Sequence, residues 1–147
     1  MKYSAKQIAE RLDLPEPTDE QCAIIEADLT PGITIAGAGS GKTTVVSQRV
    51  LYLVANGLVE PQQIIGLTFT NKAAGEMSDK ISSHFATFRK KEGITSPSTE
   101  MPTIQTYNSF ASGLVSEYGA TIGVEPDTQV LDDASAIELA DQIVATI

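Results

Sequence analysis

The chain has 147 residues and is 41% hydrophobic, enough for one domain with a real core. No apolar run approaches the roughly 20 residues needed to span a bilayer, and Met1, Lys2, Tyr3 and Ser4 are not followed by a signal-peptide core, so a cytoplasmic location is expected. A single cysteine, Cys22, excludes an intrachain disulfide or a cysteine-based metal cluster and reads as a small core residue, while the single histidine, His84, reads as a helix-surface residue. The net charge of −9 argues against a polyanionic partner, yet it is spread unevenly: residues 1–31 hold 3 basic and 7 acidic side chains, 32–92 hold 7 and 4, and 93–147 hold 0 and 8. The middle third is locally basic, so one face can meet a polyanion; ordinary surface scatter is the alternative.

In chain order, apolar positions at Ile8, Ala9 and Leu12 predict a short amphipathic helix within 3–12, ending before Pro15. Thr18 offers an N-cap with Gln21 at capping-box spacing, and Ala23, Ile24 and Ala27 are expected as a buried stripe. Pro31 and Gly32 then turn the chain into a β-branched strand at Ile33, Thr34 and Ile35. After it comes Ala36-Gly37-Ala38-Gly39-Ser40-Gly41-Lys42-Thr43, and then a helical pattern from Thr44 that should stop near Asn56 and Gly57. Residues 64–70 read as a buried parallel strand, with Asn71 as cap of a helix that carries Met77, Ile81 and Phe85 or Phe88 inward and closes on Arg89, Lys90 and Lys91. A loop over 93–102 leads to a strand at 103–106 and a helix from 108 to about 118. Gln129, Val130 and Leu131 are read as one more short strand, with Asp132 or Asp133 expected to cap a last helix holding Ile137, Ala140, Ile143 and Val144. Alternating strands and helices argue for an α/β parallel sheet flanked by helices.

Residues 36–43 have the composition of a phosphate-binding loop. Backbone N–H groups in a concave turn, with the positive end of the following helix, hold phosphate oxygens, and Gly37, Gly39 and Gly41 let the backbone curl without a Cβ in the way. The helix-terminus field supplies only about 0.3–2 kcal/mol per anion, so the turn and Lys42 carry much of the grip. Lys42 is placed to reach the β- and γ-phosphates, and the Thr43 hydroxyl to ligate a bridging Mg²⁺. Ala36 stands where the general pattern has Gly. A glycine-rich strand-to-helix turn with a solvent-facing lysine is the bland alternative.

Four blocks in this order resemble the first RecA-like domain of superfamily 1 helicases of the UvrD/Rep type. Pro17-Thr18-Asp19-Glu20-Gln21 is similar to the family's adenine-reading segment, and 36–43 to its phosphate loop. Leu67-Thr68-Phe69-Thr70-Asn71-Lys72-Ala73-Ala74-Gly75-Glu76-Met77 resembles its first single-strand-contacting motif, and Thr103-Ile104-Gln105-Thr106-Tyr107-Asn108-Ser109-Phe110 its second. The resemblance implies a P-loop NTPase fold over 1–147, with about 126–147 leading into an inserted subdomain. It also implies ATP and Mg²⁺ as cofactors and single-stranded DNA as partner. ATP contacts would come from Gln21 and from Ala36, Gly37, Ala38, Gly39, Ser40, Gly41, Lys42, Thr43 and Thr44, with Lys42 and Thr43 taking part in catalysis. DNA contacts would come from Phe69, Thr70, Asn71, Thr106, Tyr107 and Asn108. Gln21 can serve as cap, base reader or both, and from periodicity alone Phe69 is favoured as a core residue over a base-stacking ring.

Two positions depart from the pattern. Thr44 stands where many relatives carry Arg, and Asn108 where many carry His. With 53–57 and 107–110 this looks closer to the AdnAB-type branch, motors fused to a nuclease domain, which implies a partner helicase-nuclease subunit. No Asp-Glu block after four apolar residues is present, and Val130, Leu131, Asp132 and Asp133 fall short of it. The expected protein is thus an amino-terminal part of a longer 3′ to 5′ motor, completed by a second RecA-like domain, acting in DNA repair or recombination. Alone it would bind nucleotide without turning over. A self-contained P-loop phosphotransferase using Asp132 or Asp133, and a non-catalytic DNA-binding module, are the alternatives.

Overall fold

The computed structural model describes residues 2–94, 100–125 and 133–145. The chain divides into two compact units, Met1–Tyr107 and Asn108–Ile147. The elements of the first are α1 (Ala5–Arg11), α2 (Asp19–Ile25), α3 (Lys42–Ala55), β1 (Ile65–Thr68), α4 (Asn71–Glu92) and β2 (Thr103–Thr106). Helix α5 (Tyr107–Tyr118) begins at the boundary, and α6 (Asp133–Val144) lies in the second unit.

Each helix end has a local cause. Ser4 and Gln7 form a capping box on α1, and Thr18 and Gln21 form one on α2, where the Thr18 hydroxyl accepts from the Gln21 N–H at 3.3 Å and the Thr18 N–H donates to Gln21 Oε1 at 3.1 Å. Helix α3 stops in a Schellman turn: the Leu58 N–H bonds the Leu53 carbonyl at 2.9 Å and the Gly57 N–H the Val54 carbonyl at 3.0 Å, with Gly57 at φ 67°. Its C-cap, Asn56, also accepts from the Lys2 and Tyr3 N–H groups (2.6 and 2.9 Å) and donates back to the Tyr3 carbonyl at 3.0 Å, tying the amino terminus to the end of α3.

The core is built between helices rather than on a sheet. Ile8 from α1, Ile25 from α2, Leu51 and Tyr52 from α3 and Ile81 from α4 are almost completely buried, joined by Phe85 and Phe88. Each such side chain contributes about 1.5–3 kcal/mol through the apolar surface it removes from water. Polar ties hold α1 to the end of α4: Glu92 accepts from the Tyr3 hydroxyl at 2.7 Å and from Arg11 Nε at 2.6 Å, which holds its carboxyl below the ordinary range, and Lys91 pairs with Asp13.

The sheet has two parallel strands, with Ile65, Gly66, Leu67 and Thr68 opposite Thr103, Ile104, Gln105 and Thr106. Gly66 is closely approached: a Cβ there would sit 2.6 Å from Ile104 Cδ1, the end of a side chain that would have to swing aside. Together β1, α4 and β2 make a βαβ unit.

Several expectations are corrected. Ile33, Thr34 and Ile35 form no strand: the segment has no partner in the sheet, Ile33 and Ile35 are 93% and 95% exposed, and a β-branched run without a neighbouring strand has nothing to satisfy its backbone except water. For the same reason β1 is not buried on both faces, and Ile65 is exposed. On α2 the buried residue is Ile25, with Cys22 and Ile24 half-buried, whereas Ala23 and Ala27 are exposed; α2 ends at Ile25, so Ala27 lies beyond its last turn. Cys22 is thus only partly in the core, its Sγ 3.7 Å from the Pro17 carbonyl. The cap of α4 is Thr70, whose hydroxyl accepts from the Ala73 N–H at 3.1 Å, and Asn71 is the first helical residue. His84 faces inward, buried on the same side of α4 as Ile81, Phe85 and Phe88, with Nδ1 lacking a hydrogen-bond partner. Burial, and then the positive charge of Lys80, hold its pKa below the ordinary histidine value.

In the second unit α5 is followed by a 3₁₀ turn at Gly119–Ile122, closed by the Val124 N–H on the Gly119 carbonyl at 2.9 Å. The expected last helix forms as α6, with Ile137, Ile143 and Val144 exposed. The strand expected at 129–131 lies outside the described residues, as do Asp132 and the side chain of Asp133. No helix among the described residues is long and apolar enough to cross a membrane.

Candidate functional site

Residues 36–43 form a tight turn that runs into α3. Ser40 closes it from both its N–H (3.4 Å) and its hydroxyl (2.9 Å), each donating to the Gly37 carbonyl. Gly39 and Gly41 sit at φ 76° and 81°, where a side chain is strained, and Gly41 caps α3 from that conformation. A glycine cap brings no side-chain acceptor, so the first amides of α3 keep their donors free of a capping side chain at the positive end of a helix of 14 residues. Gly37 does not adopt positive φ, and a Cβ built there meets nothing within 4 Å, so, unlike Gly39 and Gly41, it is not needed for the turn's backbone to curl. Lys42, exposed, bends back over the loop and donates to the Ala36 and Gly37 carbonyls at 3.1 and 2.6 Å. Thr43 is exposed beside it and, with Gly39, Gly41, Lys42 and Thr44, lines a shallow depression.

Gln21 reaches this loop from α2. Its Nε2 donates to the Ser40 carbonyl at 3.2 Å while its Oε1 accepts from the Thr18 N–H, so cap and loop contact coexist in one carboxamide. That leaves one N–H and one acceptor lone pair unspent. Two pockets open here. One of about 260 Å³ is lined by Leu14, Pro15, Pro17, Gln21, Gly41 and Thr44, among others. The other, about 450 Å³ and largely apolar, lies under the unpaired segment, lined by Ile24, Thr34, Ile35, Val45 and Val46 as well as Gln21 and Lys42. Both are walled mainly by apolar atoms; the first brings Gln21, Gly41 and Thr44 together, and the second is the space beside a strand-like segment that has no sheet around it.

Two contacts escaped the sequence reading. Lys80 of α4 donates to the Thr44 hydroxyl at 2.7 Å, bringing a cation from 36 positions away to the residue after the loop. The i, i+4 spacing of Lys80 and His84 places both on one face of α4, but nothing local in the sequence pairs Lys80 with Thr44. Arg49 of α3 donates to four carbonyls at the end of α2, those of Ile24, Ile25, Ala27 and Asp28, at 2.8–3.2 Å.

At the far ends of the two strands a second cluster forms. The Phe69 ring is 90% exposed, which overturns the core reading, and lies 5.2 Å from the Tyr107 ring, tilted by 34°. The register makes this pairing: Thr68 is opposite Thr106, so the next residues on each chain, Phe69 and Tyr107, leave the sheet side by side. Thr70 and Asn71 are exposed at the start of α4, with the Thr70 hydroxyl engaged as cap, while Thr106 is buried. Asn108, exposed, belongs to the second unit. Among the described residues no group of three or more His, Cys, Asp or Glu side chains is placed to hold a metal ion.

The UvrD/REP helicase N-terminal domain family matches residues 17–147, leaving α1 outside the match. Curated relatives include a probable DNA helicase II homolog from Mycoplasma capricolum, 35% identical over 78% of this chain and 14% of its own length. Others are the ATP-dependent DNA helicase PcrA of Bacillus subtilis, 30% identical over 95% of this chain and 17% of its own length, and DNA helicase II of Haemophilus influenzae, 33% identical over 82% and 16%. The chain therefore spans about a sixth of the length of these relatives. They are helicases of the PcrA and UvrD type and lend no support to the AdnAB-type branch suggested by Asn108. The chain belongs to the UvrD/REP helicase N-terminal domain family.

Proposed function

We propose that this chain is the nucleotide-binding part of the first RecA-like, P-loop domain of an ATP-dependent DNA helicase, working 3′ to 5′ along single-stranded DNA in the cytoplasm, in repair or recombination. Residues 126–147 would lead into an inserted subdomain. The observation that carries the reading is the start of α3: a glycine cap at positive φ, helix amides without a capping side chain, Lys42 arched over the turn, and Gln21 docked on Ser40 with a donor and an acceptor to spare.

These residues divide the work. The amides from Gly39 to Thr44 surround the phosphates, and Lys42 exchanges its two carbonyl bonds for β- and γ-phosphate oxygens. Gln21 meets the amino group and ring nitrogen of adenine with its spare acceptor and donor. The Lys80 ammonium, held on Thr44, supplies positive charge next to the position where many relatives carry Arg. Magnesium would be held here by Thr43 and would supply positive charge against the phosphates. The exposed Thr43 hydroxyl is the kind of oxygen donor that such a hard cation takes, so the residue present fits it. Turnover needs a further carboxylate and an arginine from a second RecA-like domain, and closing and reopening of the two domains would move DNA. Phe69 and Tyr107 offer a stacking surface for bases, with Thr70, Asn71, Thr106 and Asn108 for backbone contacts.

Titrating the chain with labelled ATP and Mg²⁺ tests this. Measurable binding, weakened at least tenfold in Lys42→Ala, with no phosphate release by the chain alone, is the expected result. Brisk release by the chain alone, or binding indifferent to Lys42→Ala, contradicts it.

A further inference from the structure

We infer that Arg49 is a positioning residue for base recognition, holding α2 so that the Gln21 carboxamide stays registered against the phosphate loop; the inference rests on the nucleotide reading above. Helix α2 has only seven residues, about 10 Å of rise, and isolated helices of that length are marginal in water. Its two ends do different things. The N-terminal end carries Gln21 and its contact to Ser40; the C-terminal end has no basic residue of its own to meet the negative pole and orphan carbonyls.

Arg49 meets them from another helix. One guanidinium nitrogen, Nη1, donates its two hydrogens to the Ile24, Ile25 and Ala27 carbonyls at 3.0, 3.2 and 2.8 Å, one hydrogen being shared, and Nη2 donates to the Asp28 carbonyl at 3.1 Å. A planar fork fixes orientation as well as distance. Arg49 lies on α3 two turns beyond Lys42, so one rigid helix both opens with the phosphate grip and clamps the element that reads the base. Releasing the clamp lets α2 pivot or fray, which displaces Gln21 from Ser40. The turn itself is held by Ser40, Gly37 and Lys42 and stays as it is. Arg49 therefore acts on the choice of base and leaves the grip on phosphate alone.

The test titrates the wild-type chain, Arg49→Ala and Arg49→Lys with ATP, with inosine triphosphate, which has a carbonyl oxygen in place of adenine's amino group, and with inorganic tripolyphosphate, all with Mg²⁺. Wild type is expected to prefer ATP over inosine triphosphate by about tenfold, the scale of one net hydrogen bond. Arg49→Ala should bring that preference to within about twofold of unity while tripolyphosphate affinity stays within about twofold of wild type, and Arg49→Lys should fall between. An unchanged preference in Arg49→Ala overturns the inference, as does a proportional loss of all three ligands, which would mark Arg49 as general scaffolding. If Arg49→Ala fails to fold, Arg49→Lys decides alone, and full retention of the preference overturns the inference. A wild-type chain that binds ATP and inosine triphosphate equally overturns the base-reading role of Gln21 itself, and this inference with it.

Discussion

Residues 33–35 are β-branched throughout and strand β1 carries a glycine and a leucine at its centre, yet only β1 is a strand. Ile65–Thr68 pairs in register with Thr103–Thr106 and has α4 packed against it, whereas Ile33 and Ile35 stand almost fully in solvent. Propensity favours residues 33–35, so what decides is the partner. Strand formation is a property of two segments, and the sequence of one cannot supply the hydrogen bonds of the other. The consequence for the candidate site is that the phosphate loop has no strand behind it and is held by its own bonds, through Ser40, Gly37 and Lys42, and by the start of α3 at Gly41, with Gln21 docked on it from α2.

The sharpest way to break this comparison is to delete a buried side chain on the supported side and an exposed one on the other. Ile81→Ala, on the helix behind β1, removes a 1% exposed side chain and should cost about 2–5 kcal/mol in chemical denaturation. Ile35→Ala should move the same midpoint by less than about 0.5 kcal/mol; an equal loss would mean that the segment is packed after all. Next in size, Phe69→Ala should weaken oligo-dT binding by about 1–3 kcal/mol in fluorescence anisotropy, with stability nearly unchanged because the ring is exposed. A smaller effect sharpens the account of α4: Thr70→Ala should destabilise the chain by about 1 kcal/mol, and Asn71→Ala by much less, since the hydroxyl of Thr70 makes the cap.

His84 gives a pH signature of the supported side. Its folded pKa is lowered, so the unfolded chain takes up the proton first. The stability tied to its neutral form is complete above the ordinary histidine value of about 6.5 and is lost as pH falls toward the folded pKa. Melting temperature should therefore decline on acidification through that window, and His84→Gln should flatten the decline. Carboxylates such as Glu92, with lowered pKa, add their own loss only at more acidic pH.

What the sequence made legible were features carried by a few adjacent residues. The capping box of Thr18 and Gln21, the stop of α3 at Asn56 and Gly57, the buried stripe of Ile81, Phe85 and Phe88 and the β2 strand all follow from local chemistry. The inward turn of His84 was not legible, because a histidine three residues past Ile81 fits either the flank or the face of the apolar stripe and only packing decides. Nor was the exposure of Phe69: an aromatic at a strand end reads as core until the register shows that it has left the sheet beside Tyr107. The clamps of Lys80 on Thr44 and Arg49 on α2 join residues 21–36 positions apart and depend on how α2, α3 and α4 pack.

The most direct test of the central claim follows backbone amide resonances of the chain while Mg-ATP is added. The account predicts that the largest shifts fall on the amides from Gly37 to Thr44 and on the Gln21 side chain, with the β1 and β2 amides nearly still. Shifts that leave those amides untouched, or that concentrate on the Ile33 to Ile35 pocket instead, would contradict it.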